Sequence, residues 1–168
     1  MWECQVSVDI QAPIEQVYRR LKDFTGHSDF SDGLVKLDQT TTGPAGVGTR
    51  FRAQETVPSK YVSFCEITAL EEPRLIAWKA WVDGVMRTQW ECRLSVHAGG
   101  TRLLQVSRWE PAGPIGFLML NLHRKRNVPR ENQQTLEEIK SALEASAAAA
   151  LAPHQVRAIA SMSAEVTM

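Results

Sequence analysis

The chain has 168 residues, equal numbers of basic and acidic side chains (19 each) and 43% hydrophobic residues. That length suits one domain, able to bury about 70% of its unfolded surface without disulfides or metals. The charge balance gives no footprint for nucleic acid or an acidic membrane, and the longest apolar run of the C-terminal third, residues 115–120, is far too short to span a bilayer.

Residues 4–10 alternate, with Cys4, Val6, Val8 and Ile10 on one face, and predict a half-buried strand. Pro13 suits the first turn of a helix that carries Ile14, Val17, Tyr18 and Leu21 at helical spacing and ends with Phe24 before Gly26. Residues 25–33 are turn-rich, with room for one short helical turn. Strands follow at 34–42, 49–56, 61–70, 75–82, 85–97 and 101–110, separated by turns at Gly43–Gly48, Pro58-Ser59, Glu71–Arg74, Asp83-Gly84 and Ala98–Gly100.

Residues 111–114 stop the sheet. From 115 to about 145 the period changes, and Leu118, Leu122, Leu136, Ile139 and Leu143 fall on one side of a long helix. Pro129 predicts a kink or a frayed turn within it. Residues 147–168 are alanine-rich and read as a tail, either a short helix over 155–162 or disordered, which leaves 1–146 as the domain.

Runs of strands followed by one helix define an α+β fold, an antiparallel sheet of about seven strands with the helix covering one face. The cysteines, Cys4, Cys65 and Cys92, are odd in number, form no CxxC and sit in apolar or alternating runs, as small hydrophobes in a reducing compartment do. The opening MWECQVSVDI lacks a basic start and an apolar block, so the expected location is the cytoplasm.

Four stretches carry a family resemblance: VDIQAPIEQVYRRLKDF (8–24), GPAGVGTRF (43–51), CEITALEEPRLIAW (65–78) and HAGGTRLL (97–104). In this order and spacing they resemble the START-like, SRPBCC helix-grip superfamily, in its polyketide cyclase/dehydrase and lipid-transport branch, over about residues 3 to 145. The resemblance implies a Bet v 1-like fold, a curved sheet wrapped around the long C-terminal helix, and an elongated apolar cavity between them. It also implies a small hydrophobic ligand, cyclisation or dehydration chemistry in some members, and protein clients in others. The site has to be argued from its own residues.

Three tryptophans, Trp78, Trp81 and Trp90, fall within thirteen residues, and Trp109 lies one strand further on. Alternation turns Met86, Thr88, Trp90, Cys92, Leu94 and Val96 inward. If the hairpin pairs Val96 with Thr101, Trp90 faces Ser107, Cys92 faces Gln105, and Met86 and Thr88 lie near Trp109. Leu104, Val106 and Arg108 then face outward, although hydrophobicity alone prefers the reverse. Trp78 and Trp81 have opposite parity, and Trp78 matches the family's tryptophan. Large rings with a few polar groups are how small-molecule pockets are built, and they are also how cores are built. The long helix would add Phe117, Leu118, Asn121, Arg124 and Val128. The basic run 123–130 reads first as a solvated helix face; its alternative is Arg124 or His123 turned inward towards an acidic head group or enolate.

There is no GxSxG, Walker loop or HExxH, and Gly46-Val47-Gly48 reads as a turn. The four histidines have no metal-ligand spacing and read as surface residues, so no metal or cofactor is expected. His27, Asp29 and Asp32 cluster in the connector after the first helix, as a hydrophilic loop or as an acid/base group. Three readings follow. The chain is a cyclase/dehydrase-like enzyme working as an entropy trap, with Arg124 on enolate charge and Ser107, Gln105 or Thr88 as hydrogen-bond partners. Or it is a non-catalytic carrier of a hydrophobic ligand. Or it is a co-chaperone-like interaction module using the basic helix face.

Overall fold

The structure is a computed structural model that describes residues 1–164 except Asp32, Val57 and Pro58, with side chains to Ala147. Its strands are β1 (Trp2–Ile10), β2 (Leu34–Gln39), β3 (Arg50–Glu55), β4 (Tyr61–Glu71), β5 (Leu75–Val82), β6 (Met86–His97) and β7 (Gly100–Pro111). They form one antiparallel sheet in the order β1-β7-β6-β5-β4-β3-β2. Register shifts at Leu34/Lys36 in β2 and Ile67/Ala69 in β4 bend the sheet, as bulges do. The first helix is α1 (Ile14–Lys22), and the connector holds a 3-10 turn, Phe24–Asp29, where the sequence leaves room for one.

The β6–β7 hairpin closes on Ala98 and Gly99, both at positive φ (46° and 80°), the backbone of a two-residue hairpin turn. It pairs Val96 with Thr101, Cys92 with Gln105 and Trp90 with Ser107, so Gln105 and Ser107 turn inward. Val106 faces outward as expected but is buried, between its cross-strand neighbours Gln5 and Glu91. Val96, although of inward parity, lies at the strand's end and is 75% exposed.

The last helical course differs most from expectation. It comprises α2 (Pro114–Met119), a π-helical turn (Leu120–Arg124) and α3 (Lys125–Ala164). The wide turn falls ahead of Pro129, whose ring removes the bond to the Lys125 carbonyl and crowds it. An extra residue in one turn rotates everything before it by about 100° relative to a continuous helix. Leu118 and Leu122 therefore leave the face of Leu136, Ile139 and Leu143 and are exposed, while Gly116, Leu120 and Val128 take the inner side. The helix runs on through residue 146 to Ala164; residues 165–168, with the end of the expected tail, lie outside the described residues.

Two apolar clusters lie between helix and sheet. The larger joins α1 and α3 to the sheet through Val17, Tyr18, Phe51, Ile67, Leu103 and Ile139. The smaller holds Cys4, Met86, Trp109, Leu120 and Val128 beneath the π turn. His27, expected at the surface, is buried against the larger one: it stacks on Phe24 at 4.7 Å and its Nε2 lies 2.8 Å from the Leu21 carbonyl. Burial lowers its pKa to about 4; Arg20 pushes the same way, while the Leu21 carbonyl and Asp23 oppose. The folded protein thus holds a neutral ring that the unfolded chain protonates below about 6.5. Its contribution is full above that pH and is lost as pH falls towards 4, on the order of 3 kcal/mol in all. Urea unfolding at pH 7 and pH 5 should show a larger loss for the wild type than for His27→Gln; equal losses would mean His27 is not the sensor.

Candidate functional site

A cavity of about 270 Å³ opens between the smaller cluster and the β3–β6 half of the sheet. Its apolar wall is Trp90, Trp109, Met86, Ala80 and Val82, with Ile115 and Met119 of α2 at the mouth. Strand parity builds this wall: Ala80 pairs with Thr88, Val82 with Met86, and Thr88 with Trp109, so alternate residues of three adjacent strands face one space.

The indoles form a chain. Trp78 stacks on Trp90 at 5.8 Å with planes 5° apart, and Trp90 meets Trp109 edge-on at 5.5 Å. Trp78 in turn meets Phe24 of the main core at 5.6 Å. Trp90 and Trp109 have their N–H groups satisfied: Trp90 Nε1 donates to Thr88 Oγ1 (3.0 Å) and Trp109 Nε1 to Ser107 Oγ (3.0 Å). Trp81 has the opposite parity and stacks on Phe64 at 5.9 Å, yet it also borders the cavity.

Arg124 reaches inward from the π turn. Its guanidinium lies 4.7 Å from the Trp109 ring centre and 3.3 Å from a Glu131 carboxylate oxygen. The carboxylate pins the cation over the ring, which leaves further N–H donors for a guest. A second polar group stands on the sheet side. Glu55, of the same parity as Phe51 and Ala53, accepts from the Tyr61 hydroxyl at 2.5 Å and from Ser63 Oγ. Burial, then the Glu55 charge, raises the Tyr61 pKa well above the usual phenol range, so the hydroxyl stays a donor at neutral pH.

Of the residues expected at the site, Met86, Thr88, Trp90, Trp109 and Arg124 line the cavity. Ser107 is fully buried, its oxygen shared by Trp109, Asn132 (3.2 Å) and the Cys4 carbonyl (3.5 Å), so it holds the wall and does not meet a guest. Gln105 and Val128 are core residues, and Trp78 stands behind Trp90. Phe117, Leu118 and Asn121 are exposed, because the π turn swings them outward. His123 does not line the cavity. In the connector, His27 is in the core, Asp29 pairs with Arg20 at 3.0 Å, and Asp32 lies outside the described residues. The sequence reading missed Glu55, Tyr61 and Ser63, although the alternation of Phe51, Ala53 and Glu55 carried the signal.

All three cysteines are free and buried, and burial pushes Cys65 and Cys92 up to about 12, so they are unreactive. Among the described residues no helix is long and apolar enough to cross a membrane.

This architecture, a curved seven-stranded sheet gripping a long helix over an aromatic cavity, is that of the Bet v 1-like helix-grip proteins. The chain belongs to the polyketide cyclase / dehydrase and lipid transport family, whose model matches residues 1–144. Among solved structures it is similar to the Zhui aromatase/cyclase from Streptomyces sp. R1128, at 17% identity and a TM-score of 0.71, over 85% of this chain and 93% of that one. It is also similar to TTHA0849 from Thermus thermophilus (18% identity, TM-score 0.68, 86% and 99% covered) and to Ara h 8.0201 (12% identity, TM-score 0.65, 86% and 98% covered). These likenesses are likenesses of fold. No curated protein matches the sequence.

Proposed function

We propose that the protein binds a small, flat, hydrophobic molecule in this cavity and promotes its cyclisation or dehydration. The observation that carries the reading is the placement of Arg124 and Glu55 on the rim of one apolar space. The family and its aromatase/cyclase neighbour support the ligand class. A cavity of about 270 Å³ lies near the lower end of ligand pockets, about 300–1,000 Å³, and fits a compact fused-ring guest. The indoles offer stacking faces. Arg124 receives a carbonyl oxygen and the negative charge that grows on it when an adjacent C–H is deprotonated. Glu55 takes that proton, the enolate carbon bonds to a second carbonyl carbon of the same molecule, and Glu55 returns the proton to the new alkoxide. Glu55 then removes the remaining α-proton, a C=C bond forms as the C–O bond breaks, and the hydroxide leaves with that proton as water. Tyr61 and Ser63 orient the carboxylate, and Tyr61 supplies a proton donor beside it. The three buried thiols favour a cytoplasmic setting.

Native mass spectrometry of the gently purified protein, repeated after organic extraction, tests the binding step; a releasable extra mass identifies the guest class. Catalysis is tested on a synthetic poly-β-ketone, followed by the absorbance of the aromatic product. Glu55→Gln should slow turnover about 100-fold or more while tryptophan emission still reports binding. Binding with no turnover in the wild type would make the protein a carrier. Neither binding nor turnover would remove the reading altogether.

A further inference from the structure

The surface around the cavity mouth carries a pattern that ligand binding does not use. Residues 114–130 contain no Asp or Glu, yet include His123, Arg124, Lys125, Arg126 and Arg130. In a chain with no net charge, that is a segregation of cations. On the same segment Ile115, Phe117, Leu118 and Leu122 are 58% to 71% exposed.

Exposure and side-chain contacts sort these residues into two outward rows. Leu118 and Leu122, ahead of and within the wide turn, and Arg126 and Arg130 beyond it, are all exposed and form one outward row. Phe117, Asn121 and Lys125 form the neighbouring row, tied by Asn121 Nδ2 to the Phe117 carbonyl (2.8 Å) and Lys125 Nζ to Asn121 Oδ1 (2.8 Å). The outward face is therefore apolar through α2 and the π turn and cationic from Lys125 onward. Arg124 points inward and is held by Glu131. Among the described residues, no carboxylate lies within ion-pair distance of Lys125, Arg126 or Arg130.

We infer that this face docks on an anionic phospholipid bilayer. Exposed Phe, Leu and Ile beside Lys and Arg on one helical face is the composition of a segment that lies in the membrane interface. The charges choose the surface: free cations next to the apolar patch match lipid phosphates, and each adds to the attraction of an anionic leaflet. Continuity with the cavity adds a second argument, because Ile115 belongs to both the exposed patch and the mouth. With the patch seated at headgroup level, a hydrophobic guest passes between bilayer and cavity without crossing water.

The test is co-sedimentation of the full, ligand-free chain with vesicles of phosphatidylcholine, with and without phosphatidylglycerol. Binding should require phosphatidylglycerol and weaken with salt. Leu118→Asp and Arg126→Glu should each weaken it about tenfold or more. Both sites are exposed, so circular dichroism should not change, and Gln134→Ala on a later turn should bind as the wild type does. Three results would overturn the inference: protein left in solution with both vesicle types, binding to poly-glutamate but not to vesicles, or self-association that the same variants abolish. Because no guest is present, failure here leaves the cavity reading standing, and the reverse holds too.

Discussion

Gly116→Ala is expected to unseat α2 and cost on the order of 3 kcal/mol. A methyl group at residue 116 would stand 1.7 Å from the Val85 carbonyl oxygen and 2.8 Å from its carbon. That carbonyl is not free to retreat, because it accepts the Ala112 N–H at 2.8 Å. Both contacts are backbone, so no side-chain rotation relieves the clash. Gly46→Ala is the control: a methyl group at that position would find nothing within 4 Å, and the variant should stay within about 0.5 kcal/mol of the wild type. Urea midpoints measure the first effect. Ligand affinity measures the second, since α2 carries Ile115 and Met119 to the cavity mouth. A Gly116→Ala protein with the wild-type midpoint would mean that α2 does not sit on the β5–β6 turn as described.

Trp109→Ala should cost about 3–5 kcal/mol and remove binding. The ring packs edge-on to Trp90, carries the Arg124 guanidinium on its face and donates to Ser107. Its loss opens the wall between cavity and smaller core, and frees Arg124 from its platform. Trp109→Phe keeps an aromatic ring there and loses the N–H, at about 1 kcal/mol for the hydrogen bond. The comparison separates wall from hydrogen bond. If Trp109→Phe is as damaged as Trp109→Ala, the Ser107–Asn132 network is the more important element. If both bind normally, the cavity is not the binding site.

The inward set of β6 and β7 was legible because two independent signals agree on it. Alternation chose the face of β6, and the short hairpin transferred that choice across to β7, where composition alone points the wrong way. Val106 shows why composition fails there: an apolar residue on the outer face is buried by its polar neighbours on adjacent strands. Glu55 was missed for the complementary reason. A carboxylate at the end of a short strand reads as solvated, although alternation already sets it on the face of Phe51 and Ala53; the register of β3 and β4 adds Ser63 to that face. Phe117, Leu118 and Asn121 were misplaced because heptad-like spacing assumes a constant helical period. One wide turn breaks that phase; Pro129 marks an irregularity in the helix, but nothing in the sequence shows that it takes the form of an extra residue at Leu120–Arg124. His27 was misread because a polar residue among Thr, Gly, Ser and Asp looks like loop, whereas the 3-10 turn folds it onto Phe24.

The Trp78–Trp90 stack has an optical consequence. Two indoles held nearly parallel at 5.8 Å are close enough for their transition dipoles to couple. Together with the Trp90–Trp109 pair at 5.5 Å, whose planes lie 70° apart, the stack should contribute to an excitonic couplet in circular dichroism, a bisignate band that no single ring produces. One member borders the cavity and the other is anchored in the main core, so the band reads the alignment of wall against core. The fold thus carries its own chromophore pair, and a guest that shifts Trp90 would announce itself without any added label.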